Sequence, residues 1–63
     1  VEKYGEFEVN IENYRGIIEY TDTLIRIKVK NGQIKITGKR LQIEYYTNDD
    51  MMITGRIEKI EYQ

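Results

Sequence analysis

Leu24-Ile25-Arg26-Ile27-Lys28-Val29-Lys30-Asn31-Gly32-Gln33-Ile34-Lys35-Ile36-Thr37 decides the fold. Apolar and polar residues alternate on both sides of Asn31-Gly32, the period of a half-buried β-strand. Asn-Gly is the strongest short hairpin signal, because a type I′ turn needs positive φ at both central residues. A turn centred there pairs Val29 with Ile34, Ile27 with Ile36 and Lys28 with Lys35. Ile25, Ile27, Val29, Ile34 and Ile36 then share one face, and Arg26, Lys28, Lys30 and Lys35 share the other.

The same alternation extends outward. Glu6-Phe7-Glu8-Val9-Asn10-Ile11-Glu12 places Phe7, Val9 and Ile11 together. Thr47-Asn48-Asp49-Asp50 reads as a second turn, between Leu41–Tyr46 and Met51–Thr54. A last strand is expected over about Arg56–Tyr62. No segment has helical periodicity, and Ala, Ser, Pro and Trp are missing from the chain. Ile is the commonest residue, and β-branched and aromatic types suit a pleated, half-buried surface.

An internal repeat accompanies the strands. Ile36-Thr37-Gly38-Lys39-Arg40-Leu41-Gln42-Ile43-Glu44-Tyr45 matches Ile53-Thr54-Gly55-Arg56-Ile57-Glu58-Lys59-Ile60-Glu61-Tyr62 at six of ten positions. A weaker copy runs from Ile11 through Asn13 to Ile18-Glu19-Tyr20. Within each copy the two Ile lie seven apart, an odd spacing that a straight strand would place on opposite faces. The Gly or Asn between them is therefore expected to mark a turn or bulge that returns both to the core. The reading is an all-β chain, one small domain over 1–63. It is expected to form a twisted antiparallel meander of six to seven short strands, curled or partly closed, with a short β-solenoid as the alternative. The expected core is Phe7, Val9, Ile11, Ile18, Ile25, Ile27, Val29, Ile34, Ile36, Leu41, Ile43, Ile53 and Ile60.

These residues also carry a resemblance. Ile11-Glu12-Asn13-Tyr14-Arg15-Gly16-Ile17-Ile18-Glu19-Tyr20, Leu24-Ile25-Arg26-Ile27, Gly32 through Ile36-Thr37-Gly38 to Leu41-Gln42-Ile43, and the ending Ile53–Tyr62 resemble the YabP/YqfC family of sporulation proteins, on its YqfC branch. The resemblance covers nearly the whole chain from Gly5 onward. It implies a role in endospore formation, in spore cortex and coat assembly. A membrane-protein partner is implied, with a location in the mother-cell cytoplasm or peripheral to the developing spore membrane. It brings no catalytic residues. Members usually carry a further N-terminal stretch, and an N-terminal segment is expected to precede Val1.

The composition sets bounds of its own. The chain has 63 residues and lacks Cys and His, which removes disulfides, thiolate metal sites and the commonest zinc ligand. A domain this small is marginal in stability and often leans on oligomerisation. Ten basic residues stand against eleven acidic ones, a balance that argues against nucleic acid as a partner. No apolar run is long enough to span a membrane.

The chemistry of catalysis is thin. Nucleophilic mechanisms need Ser or Cys with a base such as His, and all three residue types are missing. Glu19, Glu44 and Glu61 recur in the repeat, but each alternates with an inward Ile and reads as solvent-facing. Asn48-Asp49-Asp50 lacks the spacing of a calcium loop. The glycines are dispersed and make no phosphate-binding pattern. The expectation is a protein without catalytic site, cofactor or metal. Its candidate surfaces are a basic patch of Arg26, Lys28, Lys30 and Lys35 and an apolar interface of Ile17, Tyr46, Met51 and Ile57. The first suits anionic partners, nucleic acid or lipid head groups, and the second suits a second copy of the chain or a partner protein.

Overall fold

A computed structural model describes the backbone of residues 6–63 and the side chains from residue 8 onward. Five strands form one antiparallel sheet: β1 (Glu6–Glu12), β2 (Gly16–Tyr20), β3 (Leu24–Val29), β4 (Gly32–Tyr46) and β5 (Asp50–Tyr62). Their order is β1-β5-β4-β3-β2. The chain thus meanders from β2 to β5, while β1 lies beyond β5 at the far edge.

The strand count is five rather than six or seven because two expected breaks are bends within long strands. β4 runs for 15 residues and β5 for 13. They cross where Gly38 pairs with Ile57 and Lys39 with Arg56. A Cβ on Gly38 would lie 2.0 Å from the Arg56 carbonyl oxygen, and one on Gly55 would lie 2.6 Å from that of Arg40. The two strands meet here backbone to backbone, which the repeated glycines permit. Opposite Gly55 the β4 strand carries an extra residue, since Lys39 pairs with Arg56 but Gln42 with Thr54. Arg40 takes up the excess in the left-handed region, at φ 55°. This bulge repairs the odd spacing and returns Leu41 to the core side that Ile36 occupies. A second bulge at Glu58 does the same for β5, because Ile57 pairs with Gly38 while Lys59 pairs with Thr37.

The central hairpin forms with a register two residues from the expected one. Ile27 pairs with Ile34, Arg26 with Lys35 and Lys28 with Gln33. Lys30 and Asn31 make the turn, and neither has positive φ, so it is not type I′. Gly32 instead opens β4 beside the end of β5, where a Cβ would lie 2.0 Å from the Gln63 carbonyl oxygen. A shift of two leaves every side chain on its expected face, which is why the apolar pattern cannot distinguish the two registers. The second turn falls where expected. The Thr47 hydroxyl oxygen accepts from the Asp49 and Asp50 amides at 3.2 and 3.1 Å, and Thr47 N–H donates to the Asp50 carbonyl at 2.7 Å.

The sheet is curled but not closed. Its flat edges would lie about 19 Å apart, four spacings of about 4.8 Å. The link Asn13–Arg15 joins those edges, and the four steps from Glu12 to Gly16 reach at most about 14 Å. Asn13, at φ 60°, turns the chain, and its amide donates to the Asp49 carbonyl at 2.7 Å. Two residues later the Arg15 amide donates to Lys28 at 2.7 Å, on the other side of the sheet. The curl encloses one cluster: Ile11, Ile25, Ile27, Ile34, Ile36, Leu41, Met51, Ile53 and Ile57, with Val9, Tyr14, Val29 and Ile43 packed against it.

Four assignments change. Met51 and Ile57, expected at an interface, are fully buried at 0% and 1% exposure. Ile18 and Ile60, expected in the core, are exposed at 44% and 36%. Met51, Ile53 and Ile57 share one parity along β5, so Ile57 continues the buried row through the bend. Ile18 is the extra residue of a bulge in β2, and Ile60 lies on the part of β5 past the described pairing with β1. Phe7 lies outside the described side chains.

Candidate interaction surface

Strands β2, β3, the first half of β4 and the second half of β5 lie side by side. Their core-facing side chains form two rows, Ile17–Ile27–Ile34–Tyr62 and Tyr20–Ile25–Ile36–Ile60. In both rows the inner pair is buried and the outer pair exposed. The exposures reach 41% at Ile17, 47% at Tyr20 and 78% at Tyr62. The curl covers only the middle of these rows, so apolar side chains spill over both flanks. Each flank also ends in a strand that has no hydrogen-bonded neighbour on its outer side among the described residues: β2, and β5 beyond Arg56. Exposed apolar side chains beside an open strand edge are the physical ingredients of strand addition.

Tyr20 is held in place by its tip. The Ile43 amide, on the second half of β4, donates to the Tyr20 hydroxyl at 2.9 Å. The Leu41 amide donates to the Asp22 carbonyl at 2.8 Å. The β2–β3 turn therefore caps part of the β4 edge, while β2 itself has no outer partner among the described residues. Tyr45 and Tyr46 flank the β4–β5 turn at 51% and 63% exposure. Of the four interface candidates, the surface holds Ile17 and Tyr46, and they belong to different ends of the sheet.

The three repeat copies follow one rule. Their first Ile is buried in each case (Ile11, Ile36, Ile53), and their terminal Tyr is exposed in each case (Tyr20, Tyr45, Tyr62). Each copy therefore runs from the core to the rim. The recurring Ile-Glu-Tyr ending is the sequence signal for this rim, and alternation alone passes over it.

On the outer face the basic residues form part of a mixed row, Glu19–Arg26–Lys35–Glu61. Arg26 and Lys35 are direct neighbours, bracketed by acids. Arg26 Nε lies 3.7 Å from Glu19 Oε1, and Lys59 Nζ lies 3.3 Å from Glu61 Oε2. Lys28 sits two residues further along opposite Gln33, and Lys30 lies in the turn. Glu19 and Glu61 are three strand spacings apart, about 14 Å, beyond the separation at which two carboxylates share a reaction centre. Glu44 is elsewhere, accepting from the Thr54 hydroxyl at 2.8 Å. Among the described residues no group of acidic side chains is placed to hold a metal ion. An open depression of about 570 Å³ lies at the sheet's other end, lined by Asn13, Tyr14, Arg15, Lys30, Asn48 and Asp49. Its floor is the β1–β2 link itself, where the Tyr14 hydroxyl donates to the Thr47 carbonyl.

These features define a small single-sheet β module whose conspicuous surface is an apolar rim on open strand edges. No helix among the described residues is long and apolar enough to cross a membrane. The chain belongs to the YabP family, whose family model matches residues 4–63. It is similar to the uncharacterized protein YqfC of Bacillus subtilis (strain 168), with 29% identity over 58 residues covering 92% of this chain. The match takes in 62% of that relative, so the chain spans about three fifths of its length.

Proposed function

We propose that this chain is a non-catalytic interaction protein of endospore formation, acting in spore cortex or coat assembly. It works by self-association or by docking on a membrane-protein partner, from the mother-cell cytoplasm or the surface of the developing spore. The carrying observation is the exposed rim: Ile17, Ile18 and Tyr20 on β2, and Ile60 and Tyr62 on β5, on edges that have no partner among the described residues. Family membership supplies the sporulation context. The absence of Ser, Cys and His from the chain supports a role without covalent chemistry.

The test has two arms. Molar mass by light scattering, across protein concentration and at two salt concentrations, reads self-association directly. Complementation of a sporulating strain lacking the protein, scored by spore heat resistance, reads the biological role. A variant with Ile18→Lys and Tyr62→Lys, folded by circular dichroism, is expected to fail in complementation. Full rescue by that variant sinks the rim as the working surface. A deletion strain with normal spores sinks the sporulation role.

A second reading rests on Arg26 lying directly opposite Lys35, with Lys28 nearby. It makes the outer face a binding surface for an anionic ligand, nucleic acid or lipid head group. Glu19 and Glu61 at the ends of the same row weigh against it. Counterion-driven binding falls steeply with salt, whereas strand-edge association changes little, so the two-salt measurement separates the readings.

A further inference from the structure

We infer that the outer edge of β5 over Ile57–Tyr62 is a homodimer interface, pairing antiparallel with the same segment of a second copy about a two-fold axis at Ile60. The inference rests on the self-association reading and names its edge.

Backbone direction comes first. Gln63 and Gln33 exchange both hydrogen bonds, Gln63 N–H to the Gln33 carbonyl at 2.8 Å and Gln33 N–H to the Gln63 carbonyl at 2.9 Å. In an antiparallel ladder such pairs alternate. Glu61 and Lys59 therefore turn their amides towards β4, and Ile60 and Tyr62 turn theirs outward. Among the described residues, β1 pairs with β5 as far as Arg56. The amide and carbonyl of Ile60 thus face away from β4, with no described strand paired to them, beside an Ile60 side chain that is 36% exposed.

Charge selects this edge over the other two. β1 carries Glu6, Glu8 and Glu12 and no base, and β2 carries only Glu19. Neither can meet its own copy with opposite charges face to face. The β5 edge carries both signs. An antiparallel pair centred on Ile60 sets Ile60 against Ile60, Lys59 against the copy's Glu61, and Glu61 against its Lys59. Opposite charges in directly facing positions favour that register, and like charges oppose it. Lys59 and Glu61 already point the same way, 3.3 Å apart within one chain, so the dimer closes them into a ring of four alternating charges. The two Ile60 side chains meet on the other face, where each is now half-open to water. Two four-stranded halves then join into one continuous eight-stranded sheet.

The experiment is sedimentation equilibrium of the full chain and four variants, each checked for native circular dichroism. Ile60→Pro removes an outward amide and leaves the ladder to β4 intact, so it is expected to be monomeric. Lys59→Glu and Glu61→Lys each create like-charge contacts in both halves of the two-fold pair and weaken dimerisation by about tenfold. The double swap Lys59→Glu with Glu61→Lys restores opposite charges and is expected to recover most of the loss. A parent chain that stays monomeric at all concentrations overturns the self-association reading itself. A parent dimer that Ile60→Pro leaves unchanged overturns this edge and leaves self-association standing. Growth beyond the dimer overturns the closed two-fold pair. A monomer that dimerises only once residues 1–5 are removed shows that the edge belongs to the chain's own beginning, and overturns the inference as well.

Discussion

Tyr20 and Ile43, 23 residues apart in the chain, are joined by a 2.9 Å hydrogen bond from the Ile43 amide to the tyrosine hydroxyl. The contact crosses from the end of β2 to the far half of β4, on the edge opposite β5, where no described strand pairs. A side chain here does the work of a missing ladder partner. Tyr20→Phe deletes that acceptor and leaves the ring. The expected cost is about 0.5–1.5 kcal/mol, read as a lower urea midpoint with an unchanged slope. A slope change would mean that the hydroxyl holds β2 in place as well.

Gly38 and Arg56 set a harsher limit. A Cβ at position 38 falls 2.0 Å from a backbone oxygen, which cannot rotate away. Gly38→Ala must separate β4 from β5 at their crossing. The expected loss is about 3 kcal/mol or more, a large share of the stability of so small a domain. Thermal unfolding by circular dichroism tests this, and a melting temperature within a few degrees of the parent contradicts the close approach.

Arg40 runs the other way. At φ 55° it holds a conformation that costs an ordinary side chain about 1–2 kcal/mol. Arg40→Gly relieves that cost, and after the greater freedom of unfolded glycine the net gain is about 0.5–1 kcal/mol. Calorimetry should show a raised melting temperature.

Ile57 and Ile60 give a paired comparison on one strand. Ile57 is 1% exposed and Ile60 36%. Truncating Ile57 to Ala should cost about 2–5 kcal/mol, and truncating Ile60 about 1 kcal/mol or less. Denaturation at low protein concentration, where association does not contribute, makes the comparison clean. Equal losses would place Ile60 in the core.

How much of this was legible in the sequence follows from what periodicity encodes. Period-two alternation fixes a face, so the buried Ile25, Ile27, Ile34 and Ile36 could be read directly. It says nothing of register beyond parity, so the hairpin slipped by two. Asn31-Gly32 looked like a type I′ turn because the glycine's purpose lay elsewhere, in the approach of Gln63. The odd spacing of the repeat correctly announced bulges. It could not reveal that Arg40 and Glu58 carry them, because bulge position depends on how β4 and β5 cross. Ile57 was misplaced for the same reason, Ile18 because it is the extra residue of the β2 bulge, and Ile60 because flank exposure depends on how far the sheet curls. Arg26, Lys28 and Lys35 lie on one face, while Lys30 sits in the turn. Their acidic brackets, Glu19 and Glu61, come from strands distant in sequence and needed the sheet order.

The position of β1 has a consequence for how the chain comes to be folded. Among the described residues β1 pairs with β5 alone, Glu6 opposite Arg56 and Glu12 opposite Asp50. A ribosome delivers these segments in an awkward order: β1 emerges with an apolar face of Val9 and Ile11 and waits for β5. The β2–β3–β4 meander closes from local contacts, but docking β1 requires a loop of roughly forty residues to close, which slows folding as such distant pairings do. During that interval β1 is an unclaimed strand in a nascent chain, the state most open to capture by a chaperone or by a neighbouring chain on the same messenger.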